Sequence, residues 1–298
     1  MKPLKINGIG EKYIGIAMSD YNRKSAKRWG WTPEWFGATD FDEDLTLNIK
    51  EFQLLFGLTP DGLCGPATYR RKYTERLSES GQEYIVCNGK PTPIEWGKVV
   101  LWDEPGGMKA PSGTYTRHDK PRDVQMFVNH WDVCLNSATC FTVLKKRGIS
   151  VQFMIDNDGT IYQTMDTCHI AWQAGRGWNK HTIGVEISNA YYPKYQSWYE
   201  RKGFGSRPVV KDAKVRGRSL REHLGFYDVQ KEAAAALWKA ISVGHNIPLQ
   251  TPTNRDGTER AETLSKAELR GYRGIVHHYH LTKNKIDCGG FDITKFLK

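Results

Sequence analysis

A chain of 298 residues has room for one large domain or two ordinary ones. Hydrophobic residues at 39% against 26% charged allow a buried core and exclude wholesale disorder. The formal net charge of +10 points to polyanionic partners, but does not choose among nucleic acid, anionic lipid and a bacterial wall.

The start, Met1-Lys2-Pro3-Leu4-Lys5-Ile6-Asn7-Gly8, is basic but lacks an apolar segment, so no secretory signal is expected. A helical pattern around residues 14–29 leads into the aromatic turn Gly30-Trp31-Thr32-Pro33-Glu34-Trp35-Phe36-Gly37. Leu45, Ile49, Phe52 and Leu55-Phe56 then recur at a helical period, and Gly57 ends the helix. Thr59-Pro60-Asp61-Gly62 is a turn, and Gly65-Pro66-Ala67-Thr68 opens another helix. This helical module is expected over residues 1–80. Residues 81–120, with Pro91, Pro93, Pro105 and Gly106-Gly107, read as a linker and approach to a second domain over 121–298.

Strands and helices alternate in that second part. Strands are expected at Val124–Asn129, running into His130, and at Val151–Ile155, which turns through Asp156-Asn157-Asp158-Gly159 into Thr160-Ile161-Tyr162-Gln163 as a hairpin. Thr182–Ile187 and Arg273–His277 read as further strands, and 228–243 as an amphipathic helix. The fold class is therefore α/β, a mixed central sheet flanked by helices, preceded by a small all-α domain. The polar stretch 191–224 is expected to pass over the substrate cleft. No run of about 18 apolar residues occurs, so no membrane-spanning helix is expected.

Three polar positions end or interrupt apolar strands: His130, Glu186 and His278. A carboxylate in a central strand is costly unless it is paired or has a chemical task. The segment His277-His278-Tyr279-His280 to Ile286-Asp287-Cys288 gathers imidazoles, an acid and a thiol within a dozen residues, the composition of a transition-metal site. Two His plus one Asp or Cys would leave zinc an open position, which is the catalytic arrangement. Six cysteines in a chain this long do not make a disulfide framework, and reduced thiols are expected in the cell. Lysines and arginines form no long run, which lowers the nucleic-acid reading. The 10 Trp and 14 Tyr could stack on sugars or fill a core.

Two resemblances follow. Phe52-Gln53, Gly57-Leu58, Asp61-Gly62 and Gly65-Pro66-Ala67-Thr68 resemble the peptidoglycan-binding helical repeat of wall hydrolases, which implies wall contacts at Phe52, Gln53, Asp61, Gly62 and Thr68. Phe127-Val128-Asn129-His130, Ser150–Ile155 with Asp158-Gly159, Ala171-Trp172-Gln173-Ala174-Gly175, Ile183–Ile187 and the 278–292 segment resemble the N-acetylmuramoyl-L-alanine amidase family. That family includes phage endolysins and shares its fold with peptidoglycan recognition proteins.

The second resemblance implies Zn2+ held by His130, His278 and Asp287, with Cys288 as the alternative third ligand. It implies Glu186 as acid/base, Lys285 beside the developing oxyanion, and Trp172, Gln173 and Asn179 as substrate contacts. His280 stands where the family has an acid, and its spacing to Cys288 reproduces that of members with a thiolate ligand. Gln173 stands where the family often has His. Cys134 and Cys140 match the spacing of a structural disulfide in recognition proteins. The implied function is cleavage of the bond between N-acetylmuramic acid and L-alanine by a monomeric phage lysis enzyme. It would wait in the host cytoplasm for a holin pore and act on peptidoglycan rather than nucleic acid. The alternative is a non-catalytic peptidoglycan-binding protein of the same fold.

Overall fold

The computed structural model describes residues 8–80, 83–104 and 106–297. The basic start at residues 1–7, the junction at 81–82 and Pro105 lie outside the described residues. The chain forms two compact units, Met1–Gly81 and Gln82–Lys298.

Among its described residues the first unit holds three α-helices, α1 (Gly8–Trp29), α2 (Glu43–Leu55) and α3 (Pro66–Ser80). Asp42 caps α2 by accepting from the Leu45 amide at 3.0 Å, satisfying a donor the helix leaves unpaired. The expected stripe of Leu45, Ile49 and Phe52 is buried against Trp31, Phe36 and Tyr69. Trp31 is 2% exposed and belongs to this core, where no sugar reaches it. Of the residues expected to contact the wall, Asp61 is exposed and the others are turned inward. Phe52, Gln53 and Thr68 are buried. Gln53 Nε2 donates to Asp61 Oδ1, Leu63 O and Thr68 Oγ1, and its Oε1 accepts from the Gly62 amide at 2.9 Å. Gly62 takes φ +75°, a conformation that side chains avoid. This part of the motif builds the turn between α2 and α3. Gln53→Leu should therefore cost about 2–4 kcal/mol, because it strands several polar groups in a closed interior. Urea unfolding of the full chain measures this, and a loss below about 1 kcal/mol would contradict it.

The second unit is built on a six-stranded sheet. Its strands are β3 (Val99–Leu101), β5 (Met126–Trp131), β6 (Phe153–Ile155), β7 (Ile161–Gln163), β9 (Thr182–Ile187) and β14 (Gly274–His277). The order is β14-β5-β9-β6-β7-β3, parallel throughout except for the β6–β7 hairpin. The described residues expected as linker, 83–104 and 106–120, are structured within this unit. They supply a hairpin of β1 (Glu83–Cys87) and β2 (Lys90–Ile94), the edge strand β3, and β4 (Tyr115–Thr116), which pairs with β8 (Ile170–Ala171).

Strand alternation gives the sheet two different faces. Phe127, Phe153, Ile183, Val185 and Ile275 point to one side and are buried with Leu237, Trp238 and Ile241 of α6 (Asp228–His245). Met126, Val128 and Val276 point to the other, where Leu264, Leu269 and Leu281 cover part of them. His130 follows Met126 and Val128 at two-residue steps, and Glu186 follows Thr182 and Gly184 in the same way. Both therefore lie on the side away from α6. They are cross-strand partners in the β5–β9 register. α4 (Ser137–Lys146) starts at the end of β5, capped by Asn136.

The 191–224 excursion holds α5 (Gln196–Arg201) and two strand pairs, β10 (Val209–Val210) with β13 (His223–Leu224) and β11 (Lys214–Val215) with β12 (Arg218–Ser219). α7 (Lys266–Gly271) precedes β14, and α8 (His278–Leu281) follows it directly. Among the described residues no helix is long and apolar enough to cross a membrane.

Candidate metal and catalytic site

His130, near the end of β5, and His278, the first residue of α8, bring their Nδ1 atoms to 2.9 Å of each other. Asp287 Oδ2 lies 3.1 Å from both. The Tyr279 amide donates to the Asp287 carbonyl at 3.1 Å, tying the Asp287 loop to α8. All three side chains are buried. Burial alone would raise the Asp287 pKa, but the two imidazoles reverse this and hold the carboxyl well below its usual range. Burial opposes charge on His130, and Asp287 and Glu186 outweigh it, so its pKa is raised. Burial and the neighbouring His130 together lower that of His278.

The donor set fits a zinc ion. Two imidazole nitrogens and a carboxylate oxygen lie within 4.8 Å of one another. Three such ligands with a position to spare are what a catalytic zinc requires. The alternative donors lie elsewhere. Cys288 is fully buried in the apolar core with Trp238 and Phe291, and burial pushes its thiol far up, away from the thiolate that binds metal. His280 spends Nδ1 on the His277 amide at 3.0 Å and Nε2 on the Arg260 carbonyl at 2.6 Å.

The three residues lie in a cleft of about 450 Å³, open to solvent and lined also by Glu186, Lys285, Arg147, Trp172 and Gln173. Glu186 Oε2 is buried with no hydrogen-bond partner. Such an orphan acceptor is costly unless something occupies the cleft beside it. Burial raises the Glu186 pKa, and the nearby His130 only partly offsets this. An outer arm of the cleft runs past Trp172, Gln173 and Asn179 to Arg176 and Lys180. Trp172 is partly exposed, with Nε1 donating to Thr116 Oγ1 at 3.1 Å. Asn179 braces the turn, its Oδ1 accepting from the Gln173 and Ala174 amides.

Among the described residues, none of 191–224 lines the cleft, contrary to expectation. The excursion braces the Asp287 loop from behind. Arg216 donates to the Lys285 carbonyl at 2.9 Å, and Val210, Val215 and Leu220 close on Gly289 and Gly290. Cys134 and Cys140 are free thiols that lie with Asp132 at the cleft wall. Sequence reading passes over Arg147, Arg176 and Lys180, because isolated surface cations carry no pattern. It also passes over Thr182 and Gly184, although their two-residue spacing from Glu186 places all three on one face of β9.

Residues 120–290 match the family model described as N-acetylmuramoyl-L-alanine amidase, and residues 29–71 match one described as a putative peptidoglycan binding domain. No curated protein matches the chain. Among solved structures, the chain is similar to the N-acetylmuramoyl-L-alanine amidase LysC from Clostridium intestinale URNW, at 16% identity and TM-score 0.34, covering 62% of this chain and 85% of that one. It is similar to the amidase AmiD from E. coli at 17% identity and TM-score 0.30, covering 48% and 55%. For Manduca sexta Peptidoglycan Recognition Protein-1 the values are 16%, 0.33, and coverage of 62% and 82%. The first of the two family matches spans more than half of the sequence, and the chain belongs to the N-acetylmuramoyl-L-alanine amidase family.

Proposed function

We propose that this chain is a zinc-dependent peptidoglycan amidase that hydrolyses the bond between the lactyl group of N-acetylmuramic acid and L-alanine, and that it serves in phage lysis. The observation carrying the reading is the convergence of His130, His278 and Asp287 on one point of a cleft that also holds the unpartnered carboxylate oxygen of Glu186. Support for a wall-directed lysis role is the presence of a cutting unit and a wall-binding module in one chain.

His130, His278 and Asp287 would hold the ion. When bound, zinc supplies Lewis acidity that polarises the amide carbonyl and acidifies water. Glu186, with its Oε2 unpaired at the cleft, takes a proton from the attacking water and returns it to the leaving alanine nitrogen. Lys285, exposed at the cleft mouth, offsets negative charge as it gathers on the carbonyl oxygen.

Every exposed charged side chain lining the cleft and its outer arm is basic: Arg147, Arg176, Lys180 and Lys285. An acidic stem peptide would be drawn along such a groove. The double substitution Arg176→Glu, Lys180→Glu should raise KM for a soluble muropeptide about tenfold with kcat little changed, and salt should shrink the difference. Equal KM at low salt would remove the outer arm from the substrate path.

The test of the function itself is digestion of purified sacculi with and without a chelator. Chelator-sensitive release of peptides with free N-terminal alanine supports the amidase. Release of reducing sugars would overturn it. Sacculi bound but left uncut would favour a binding protein of the same fold.

A further inference from the structure

We infer that Gln173 positions the metal site: its side-chain amide fixes His130 in the tautomer that presents a bare Nδ1 to the ion. The argument starts at Thr182. The Thr182 hydroxyl donates to the Trp178 carbonyl at 3.1 Å, which uses its one hydrogen. Towards Gln173 it can then only accept, and Gln173 Nε2 donates to it at 2.8 Å. That bond orients the amide, so Oε1 is the atom facing His130 Nε2, at 2.6 Å. A carbonyl oxygen has no proton to give. His130 must therefore carry a hydrogen on Nε2, so the neutral ring, the form that binds metal, is left with a free lone pair on Nδ1. Nδ1 is the atom that meets His278 and Asp287.

One face of β9 builds this relay. Thr182 anchors the amide, Glu186 stands two steps further on beside the donors, and Gly184 between them leaves room. A Cβ at position 184 would sit 2.7 Å from Gln173 Cδ and 2.8 Å from its Oε1. The Gln173 side chain crosses the strand because residue 184 has no side chain. The backbone is pinned too, with the Gln173 amide donating to Asn179 Oδ1 at 3.2 Å and the Thr182 carbonyl accepting from Arg122 at 2.9 Å. With both ends of its amide engaged, Gln173 acts through His130, whereas its sequence position suggests a substrate contact. Partners that orient a metal-bound imidazole commonly change metal affinity by 10–100-fold.

The inference rests on His130 being a zinc ligand, and the experiment separates the two claims. The full chain and its Gln173→Leu and Gln173→Glu variants are stripped of metal. Zinc affinity is then measured by competition with a chromogenic chelator, and the His130 tautomer is read from long-range 1H–15N imidazole spectra. The expected result is an Nε2–H tautomer in the unsubstituted protein. Gln173→Leu should mix the tautomers and bind zinc about 10–100-fold more weakly. Gln173→Glu, which keeps an acceptor for Nε2–H, should recover most of the affinity. Excess zinc should restore kcat in the Leu variant at unchanged KM, which loss of a substrate contact would not allow. Wild-type zinc affinity and an unmixed tautomer in Gln173→Leu would overturn the inference and leave the site standing. Failure of the unsubstituted protein to bind zinc would overturn both.

Discussion

Glu186→Gln should lower kcat on soluble muropeptide about 10²–10⁴-fold while zinc content stays at the wild-type level. The side chain sits on the sheet face that carries His130, with Oε2 buried and unpaired. Glutamine keeps the shape but has no basic oxygen, so it removes the proton acceptor and little else. Stability should move the other way. Burial raises the pKa of Glu186 above its ordinary 4.5, so the folded state disfavours the ionised form. An acid with a raised pKa costs the fold stability above that pKa, and the cost fades as pH falls below the ordinary value. Metal-free Glu186→Gln should therefore melt no lower than the parent at neutral pH, with any advantage shrinking in acid. A less active but equally stable protein cannot be explained by misfolding. Activity should be lost in acid as Glu186 takes up a proton, and the charge of a bound zinc ion, which favours the carboxylate, moves that limb to lower pH than burial alone would. If the variant kept more than about a tenth of wild-type kcat, the base would have to be sought elsewhere.

The parts of this fold legible in the sequence are those with a strong local signal. Thr182–Ile187 is apolar, β-branched and short, and it forms β9 over those same residues. His130 and Glu186 stand out because a charged or polar group in such a strand demands a reason, and both lie on the cleft side. The hairpin at 83–94 is hidden by Pro91 and Pro93, which read as punctuation. In the structure they occupy β2, which among the described residues pairs only with β1. Proline is tolerated at such an edge, where its missing amide costs no ladder bond. The helical motif misleads in another way. Phe52, Gln53 and Thr68 recur at fixed spacing because the α2–α3 turn needs them inside, and that spacing alone does not tell a scaffold from a binding surface. The role of Gln173 is harder still, since its partner His130 lies 43 positions away and only the folded sheet joins them.

Asp287→Ala should weaken zinc binding by more than about 100-fold, beyond what losing an outer-shell partner commonly costs, and take amidase activity to background. The sequence leaves Asp287 and Cys288 as competing third ligands, and the structure gives them opposite surroundings. Asp287 Oδ2 stands 3.1 Å from both imidazole Nδ1 atoms, and those rings keep it ionised despite burial. Without it, two imidazoles face each other with no anion to balance a dication. The Cys288 thiol is packed among Trp238, Phe291 and Ile293, where the cost of burying a thiolate keeps it protonated. Cys288→Ala should accordingly leave zinc affinity unchanged and lower Tm by a few degrees, the cost of about 1 kcal/mol of lost packing. The two variants thus separate ligation from packing in one pair of measurements, zinc competition and thermal unfolding. If Cys288→Ala lost zinc while Asp287→Ala kept it, the loop would have to reorganise on binding metal, bringing the thiol out of the core and into the cleft.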